Sequence, residues 1–183
     1  DPADSTAVYV AETETTQGMW TAVCPDNNKG WNDRSTYPVS NVTYEEVMAF
    51  ISKLNTMAAE QGCPMKFRLP TTQEWEIAYR NGGVNKESWL GFSGSVVHPV
   101  AELPANDLHL YDMKGNVSEL CSDSVMVGNE DDKVLMRAVA GSNYEDYPSS
   151  MSPMYYRWMD LSEGTANVGF RLFADPVYGD EKQ

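Results

Sequence analysis

The sequence predicts an α+β domain with two main helices, short strands and much irregular loop, and three observations carry this. Two capping boxes, Thr43–Glu46 and Thr71–Glu74, each open a run with helical apolar spacing. Short apolar runs such as Val8–Ala11 and Val134–Val139 read as strands. After Asn81 the chain is broken repeatedly by Gly, Pro, Asn, Asp and Ser. With no internal repeat or low-complexity tract, residues 1–183 read as one domain.

Taken in order, Val8–Ala11 is followed by Thr15-Thr16-Gln17, which offers helix caps before Met19, Trp20 and Val23, and Pro25 ends that short helix. Asp26–Tyr37 is a polar loop, and Pro38–Val42 returns to extended chain. Behind Thr43, the residues Val47, Phe50, Ile51, Leu54 and Ala58 lie on one helix face, and Gly62 is the expected stop. Phe67–Pro70 is a short extended piece leading to Thr71 and a helix carrying Trp75, Ala78 and Tyr79. Glu74 belongs to that capping box, so Arg68, Glu74 and Glu76 read as a cap or a structural ion pair, not as acid–base machinery.

Asn85–Asp107 mixes Gly, Ser, Val and Pro and reads as a surface excursion. The only histidines, His98 and His109, lack ligand spacing for zinc and a nucleophile motif for a triad, and read as solvated loop residues. Leu108–Tyr111 is a short extended piece. In the turn that follows, Asp112 and Glu119 could present carboxylates, and Gly115 and Val117 backbone carbonyls, to one point; such hard oxygens suit Ca²⁺. The plainer reading is an ion-free Lys-Gly-Asn turn.

Gly141–Leu172 opens on a turn signal and ends in an apolar strand, Val168–Phe173. Between lie Tyr144, Tyr147, Tyr155, Tyr156 and Trp158, set among Ser, Asp, Pro and Asn with neither helical nor strand periodicity over Asn143–Ser152. Large amphipathic rings among small polar residues compose a recognition surface. In this reading the rings supply stacking area, while Asn143, Asp146, Ser149 and Arg157 supply hydrogen bonds and charge. The alternative is half-buried tyrosines packed on their own sheet.

Composition narrows the partners. Thirteen basic against 27 acidic residues give a formal charge of −14, which argues against nucleic acid and anionic membrane surfaces. No apolar run reaches the roughly 18 residues of a spanning helix, so no membrane insertion is expected; Asp1–Asp4 carries no basic and apolar leader pattern. Three cysteines, Cys24, Cys63 and Cys121, are too far apart for a CxxC motif and permit at most one internal disulfide.

Several blocks then line up in order: Thr16–Trp20, Pro38–Tyr44, Arg68–Ala78 (RLPTTQEWEIA), Leu110–Glu119 (LYDMKGNVSE), Gly141-Ser142 and Val168–Arg171 (VGFR). Together they resemble the formylglycine-generating enzyme, or sulfatase-modifying factor, family, from about Thr13 to Phe173. The resemblance implies a C-type-lectin-like fold of the formylglycine-generating-enzyme type, a scaffold shared by enzymes, non-catalytic domains and variable proteins of diversity-generating retroelements. It also implies a calcium site at Asp112, Gly115, Val117 and Glu119, whereas the family's other calcium site has no recognisable counterpart between Glu87 and Asn106.

The enzymes of the family carry two cysteines just after the Gly-Ser that corresponds to Gly141-Ser142, where copper and oxygen chemistry need thiolates. Here Asn143–Ser152 contains none, and Cys121 reads as a small buried residue, so neither catalysis nor copper is expected. The reading that follows is a non-catalytic domain, extracellular or on a bacterial or phage surface, that binds a protein or glycan through residues of about 143–160 and is diversified by a retroelement. A structural or accessory module of a larger surface protein is the competing reading.

Overall fold

The computed structural model describes residues 7–27, 29, 31, 34–82, 87–91, 94, 96–130, 132–147 and 156–177. Among the described residues three helices, α1 (Gln17–Val23), α2 (Tyr44–Glu60) and α3 (Thr72–Asn81), accompany seven strands. The strands are β1 (Tyr9–Val10), β2 (Met65–Arg68), β3 (Ser118–Val127), β4 (Val134–Ala140), β5 (Tyr156–Met159), β6 (Val168–Gly169) and β7 (Phe173–Pro176).

Both expected capping boxes close. Thr43 Oγ1 accepts from Glu46 N–H while Glu46 reaches back to Thr43 N–H, and Thr71 and Glu74 do the same at α3. Each box satisfies two backbone donors that a helix start would leave orphaned. Behind them α2 buries Val47, Phe50, Ile51 and Ala58, and α3 buries Trp75, Ala78 and Tyr79. The short helix predicted near Met19 is α1, capped by Thr16.

One sheet has the order β1-β7-β2 and is antiparallel; the other has the order β5-β4-β3-β6, with β6 parallel to β3. The second sheet stands between two cores, because successive side chains of a strand point to opposite faces. On one face Leu120, Val139 and Val168 join Trp20, Val23, Phe50 and Phe170. On the other, Cys121, Ala138 and Ala140 lie in the cluster of Trp75, Ala78, Tyr79 and Phe173. Small alanines on β4 leave room there for the α3 tryptophan.

Several expectations need correction. β3 runs on from the turn at Asp112 as a ten-residue strand, where the sequence had signalled only the turn. Its first residues are buried and its last exposed, so no single alternation marks it. The strand expected over Val168–Phe173 is two strands, β6 and β7, in different sheets. The crossing between them carries Arg171 into the interior. The extended piece Pro38–Val42 is tied through an isolated antiparallel bridge of Pro38 with Thr16, with Val39 N–H donating to Thr15 O, and Leu108–Tyr111 through Tyr111 N–H to Glu12 O. His98 is not a solvated loop residue: its ring stacks on Trp89 at 3.6 Å. Cys24, Cys63 and Cys121 are free thiols.

Candidate binding surface

The turn Asp112–Val117 is shaped by left-handed backbone at Asp112, Gly115 and Asn116. Gly115 is required, since a Cβ there would lie 2.2 Å from Trp89 O. The turn delivers a buried charge cluster. Arg171 is fully buried, and its guanidinium meets Glu119 through Nη2 to Oε1 at 2.9 Å and Nε to Oε1 and Oε2 at 3.0 and 3.2 Å. Its remaining donors go to the carbonyls of Ala11, Glu12 and Tyr111. Trp75 Nε1 donates to Glu119 Oε2 at 2.6 Å.

Glu14, which sequence reasoning did not single out, is buried beside this pair. It accepts from Asn116 Nδ2 at 2.9 Å and Val117 N–H at 3.0 Å. Burial, together with the neighbouring Asp112 and Glu119 carboxylates, pushes its carboxyl well above the ordinary range, against the pull of Arg171. Burial likewise raises Asp112, whose Oδ2 accepts from Ala101 N–H at 2.8 Å.

Of the four expected calcium ligands, Asp112 and Glu119 thus face one buried guanidinium. The Glu119 oxygens already receive Arg171 and Trp75, which fills the roughly four acceptor directions of a carboxylate. With Glu119 so occupied, Asp112 is the remaining side chain of the implied set, and its Oδ2 accepts from Ala101 N–H.

The second part of the site begins at Gly141. Asn143 is 1% exposed and organises the turn: its N–H donates to Asp146 Oδ2, its Oδ1 accepts from Glu145 N–H, and its carbonyl accepts from Asp146 N–H. Its Nδ2 donates to Ser118 Oγ at 3.1 Å. That hydroxyl also receives Arg157 Nη2 at 2.9 Å and donates to Gly141 O at 3.3 Å, so its bonding capacity is full. Tyr144 N–H donates to Asn116 O, Gly91 N–H to Asp146 O, and Asn167 Nδ2 to Glu145 Oε2. Arg157 Nη1 lies 3.5 Å from Asp146 Oδ2. The turn is therefore bonded on several sides to other parts of the chain.

The predicted contact residues divide accordingly. Tyr147 is 49% exposed, and its ring carbons lie 3.3 Å from where a Cβ on Gly91 would stand. Tyr144 is half-buried, its hydroxyl pKa raised by burial and by Glu145. Tyr156 and Trp158 share the other face of β5, edge to face at 5.5 Å, and pack against the cluster around Trp75. The structure thus brings Tyr144, Asp146, Tyr147 and Arg157 together with Asn143 and sets Tyr156 and Trp158 apart from them. Ser149 and Tyr155 lie outside the described residues.

No cysteine occurs in Gly141–Leu172, and Cys121 is buried with its thiol pKa pushed far up by burial, the opposite of a reactive thiolate. The model for the sulfatase-modifying factor enzyme 1-like domain matches residues 5–176. The chain belongs to that family.

This sulfatase-modifying-factor-like chain is 25% identical to the formylglycine-generating enzyme of Mycobacterium tuberculosis over 193 aligned residues, covering 80% of the chain but only 60% of that enzyme. Among solved structures, Treponema denticola variable protein 1 superposes with a TM-score of 0.76 at 23% identity, over 92% of this chain and 84% of the other. CarF superposes with a TM-score of 0.71 at 22% identity, over 93% of this chain and 87% of its own. The α+β, C-type-lectin-like architecture is thus shared with both structures, and at these identities the likeness concerns the fold.

Proposed function

We propose that this sulfatase-modifying-factor-like domain is a non-catalytic binding module. It presents Tyr144, Tyr147 and Arg157 to a protein or glycan target. The observation that carries the reading is the Asn143 clamp. A surface turn bonded internally through a buried amide loses little ordering entropy when a partner docks, and leaves neighbouring aromatic rings to make contact. The clamp occupies the place where enzymes of the resembled family hold their cysteine pair. Likeness to Treponema denticola variable protein 1 supports the further reading that a retroelement diversifies this surface.

The deciding experiment is to sequence the DNA flanking the gene. An imperfect copy of the region encoding about Gly141–Arg171, with mismatches at adenines and a nearby reverse-transcriptase gene, supports diversification and names the contact codons. Absence of such a copy removes the diversification reading. Activity is checked directly: incubation with copper and a cysteine-containing sulfatase peptide should yield no formylglycine, and product would overturn the non-catalytic reading. A second reading, a structural module of a larger protein, draws on the packing of Tyr156 and Trp158 against the Trp75 cluster.

A further inference from the structure

Beyond the binding surface, the β3–β4 hairpin carries an unexplained apolar tip. β5 meets β4 only over Arg137–Ala140, and β6 meets β3 only at Ser118 and Glu119. From Ser124 to Val127, against Val134 to Arg137, the described chain is therefore a ribbon two strands wide. Paired Met126 and Leu135 lie on one face, and Val125 with Met136 and Val127 with Val134 lie on the other. Met126 and Val127 are 54% and 47% exposed, and Val134 and Leu135 are exposed as well.

Two-stranded ribbons are marginal in water, and apolar side chains on both faces of one mark a surface that something covers. The outer edge of β3 also lacks the usual protections: Ser124–Val127 has no proline, lysine or other charge. Charge stands at its two ends: Asp123 before it, whose Oδ2 also accepts from Thr72 N–H at 2.7 Å, and beyond it the net acidic loop of Glu130, Asp131, Asp132 and Lys133.

We propose that this edge takes an extended segment of another protein, added to β3 as a third strand, with a short β-branched apolar run flanked by lysine or arginine. The apolar run covers both faces of the ribbon tip, the backbone fills the open edge, and the flanking cations meet Asp123 at one end and Glu130 and Asp132 at the other. A second copy of this chain fits poorly. Antiparallel self-pairing of Ser124–Val127 sets Asp123 of each copy beside the acidic loop of the other, between chains of formal charge −14.

The test titrates the full ¹⁵N-labelled chain with a synthetic peptide of alternating valine and isoleucine flanked by lysine pairs, and with the same peptide flanked by glutamates. Amide shifts should saturate with the lysine peptide alone and map to the β3–β4 tip, and binding should weaken about tenfold in Met126→Lys. Val127→Thr, which keeps strand propensity, should weaken it less and guards against a folding artefact. Raising NaCl to about 0.5 M should also weaken it. Equal binding of both peptides, shifts elsewhere, or no saturation overturns the proposal. So does a concentration-dependent dimer abolished by Met126→Lys, which would assign the edge to a second copy.

Discussion

Arg171 and Glu119, 52 residues apart, form a bidentate ion pair whose side chains are 0% and 2% exposed. Removing one partner of such a pair leaves the other charged and buried, which costs about 3–5 kcal/mol, a large part of a domain's stability. Arg171→Met is expected to be the more severe, because Glu119, Glu14 and Asp112 would lose their shared cation. Glu119→Gln should lower the chemical-denaturation free energy by about 3 kcal/mol or more. A loss under about 1 kcal/mol in both variants would show that the cluster holds nothing together.

Calcium is proposed at the adjoining turn in a reduced form, with Asp112 as the side-chain ligand and Gly115 and Val117 contributing carbonyls, since Glu119 is held by Arg171 and Trp75. So few protein ligands imply weak affinity, of order millimolar. Thermal unfolding should therefore shift upward only as CaCl₂ approaches that range, and Asp112→Asn should abolish the shift. A midpoint indifferent to calcium would leave the turn ion-free.

How much of this could be read beforehand follows from where the interactions lie. The capping boxes at Thr43 and Thr71 are closed by residues three positions away, so sequence displays them fully. Glu14 has its partners more than 100 residues away at Asn116 and Val117, and nothing in the local run ETETT marks it as buried. The ion pair of Arg68 with Glu74 was legible, because its partners straddle one box; the second partner, Asp175, was not. In the binding segment, composition pointed to the tyrosines but could not assign faces. The strand at Tyr156–Met159 does that, turning Arg157 toward Ser118 and Tyr156 and Trp158 toward the Trp75 cluster.

Arg68 ties β2, β7 and the start of α3 together, donating to Asp175 at 2.7 and 2.8 Å and to Glu74 at 2.8 and 2.6 Å. Its hydrogen bonds hold both carboxyls below the ordinary range. A carboxyl whose pKa is lowered by folding contributes stability above its unfolded value, near about 4, and loses it as the pH falls through the folded value. Exposure screens these pairs, so the contribution is about 1 kcal/mol. Arg68→Gln should flatten the acid limb of stability below about pH 4 while changing little of its slope near neutrality. An unchanged acid limb would mean other carboxylates dominate it.

Asn143, Trp158 and Tyr147 separate scaffold from contact surface. Asn143→Ala leaves the Glu145 N–H and the Ser118 hydroxyl short of partners and should cost about 1–3 kcal/mol. Trp158→Ala opens a space beside Trp75 and Tyr156, and because the ring is half-buried the cost should fall at the lower end of aromatic truncations, about 2–3 kcal/mol. Tyr147→Ala removes a half-exposed ring standing over Gly91, and stability should move by no more than about 0.5 kcal/mol. Differential scanning calorimetry of the three variants decides between the readings. If Tyr147→Ala costs as much as Trp158→Ala, the tyrosine is a packing residue and the structural-module reading gains; if it is nearly silent, its ring is available to a ligand.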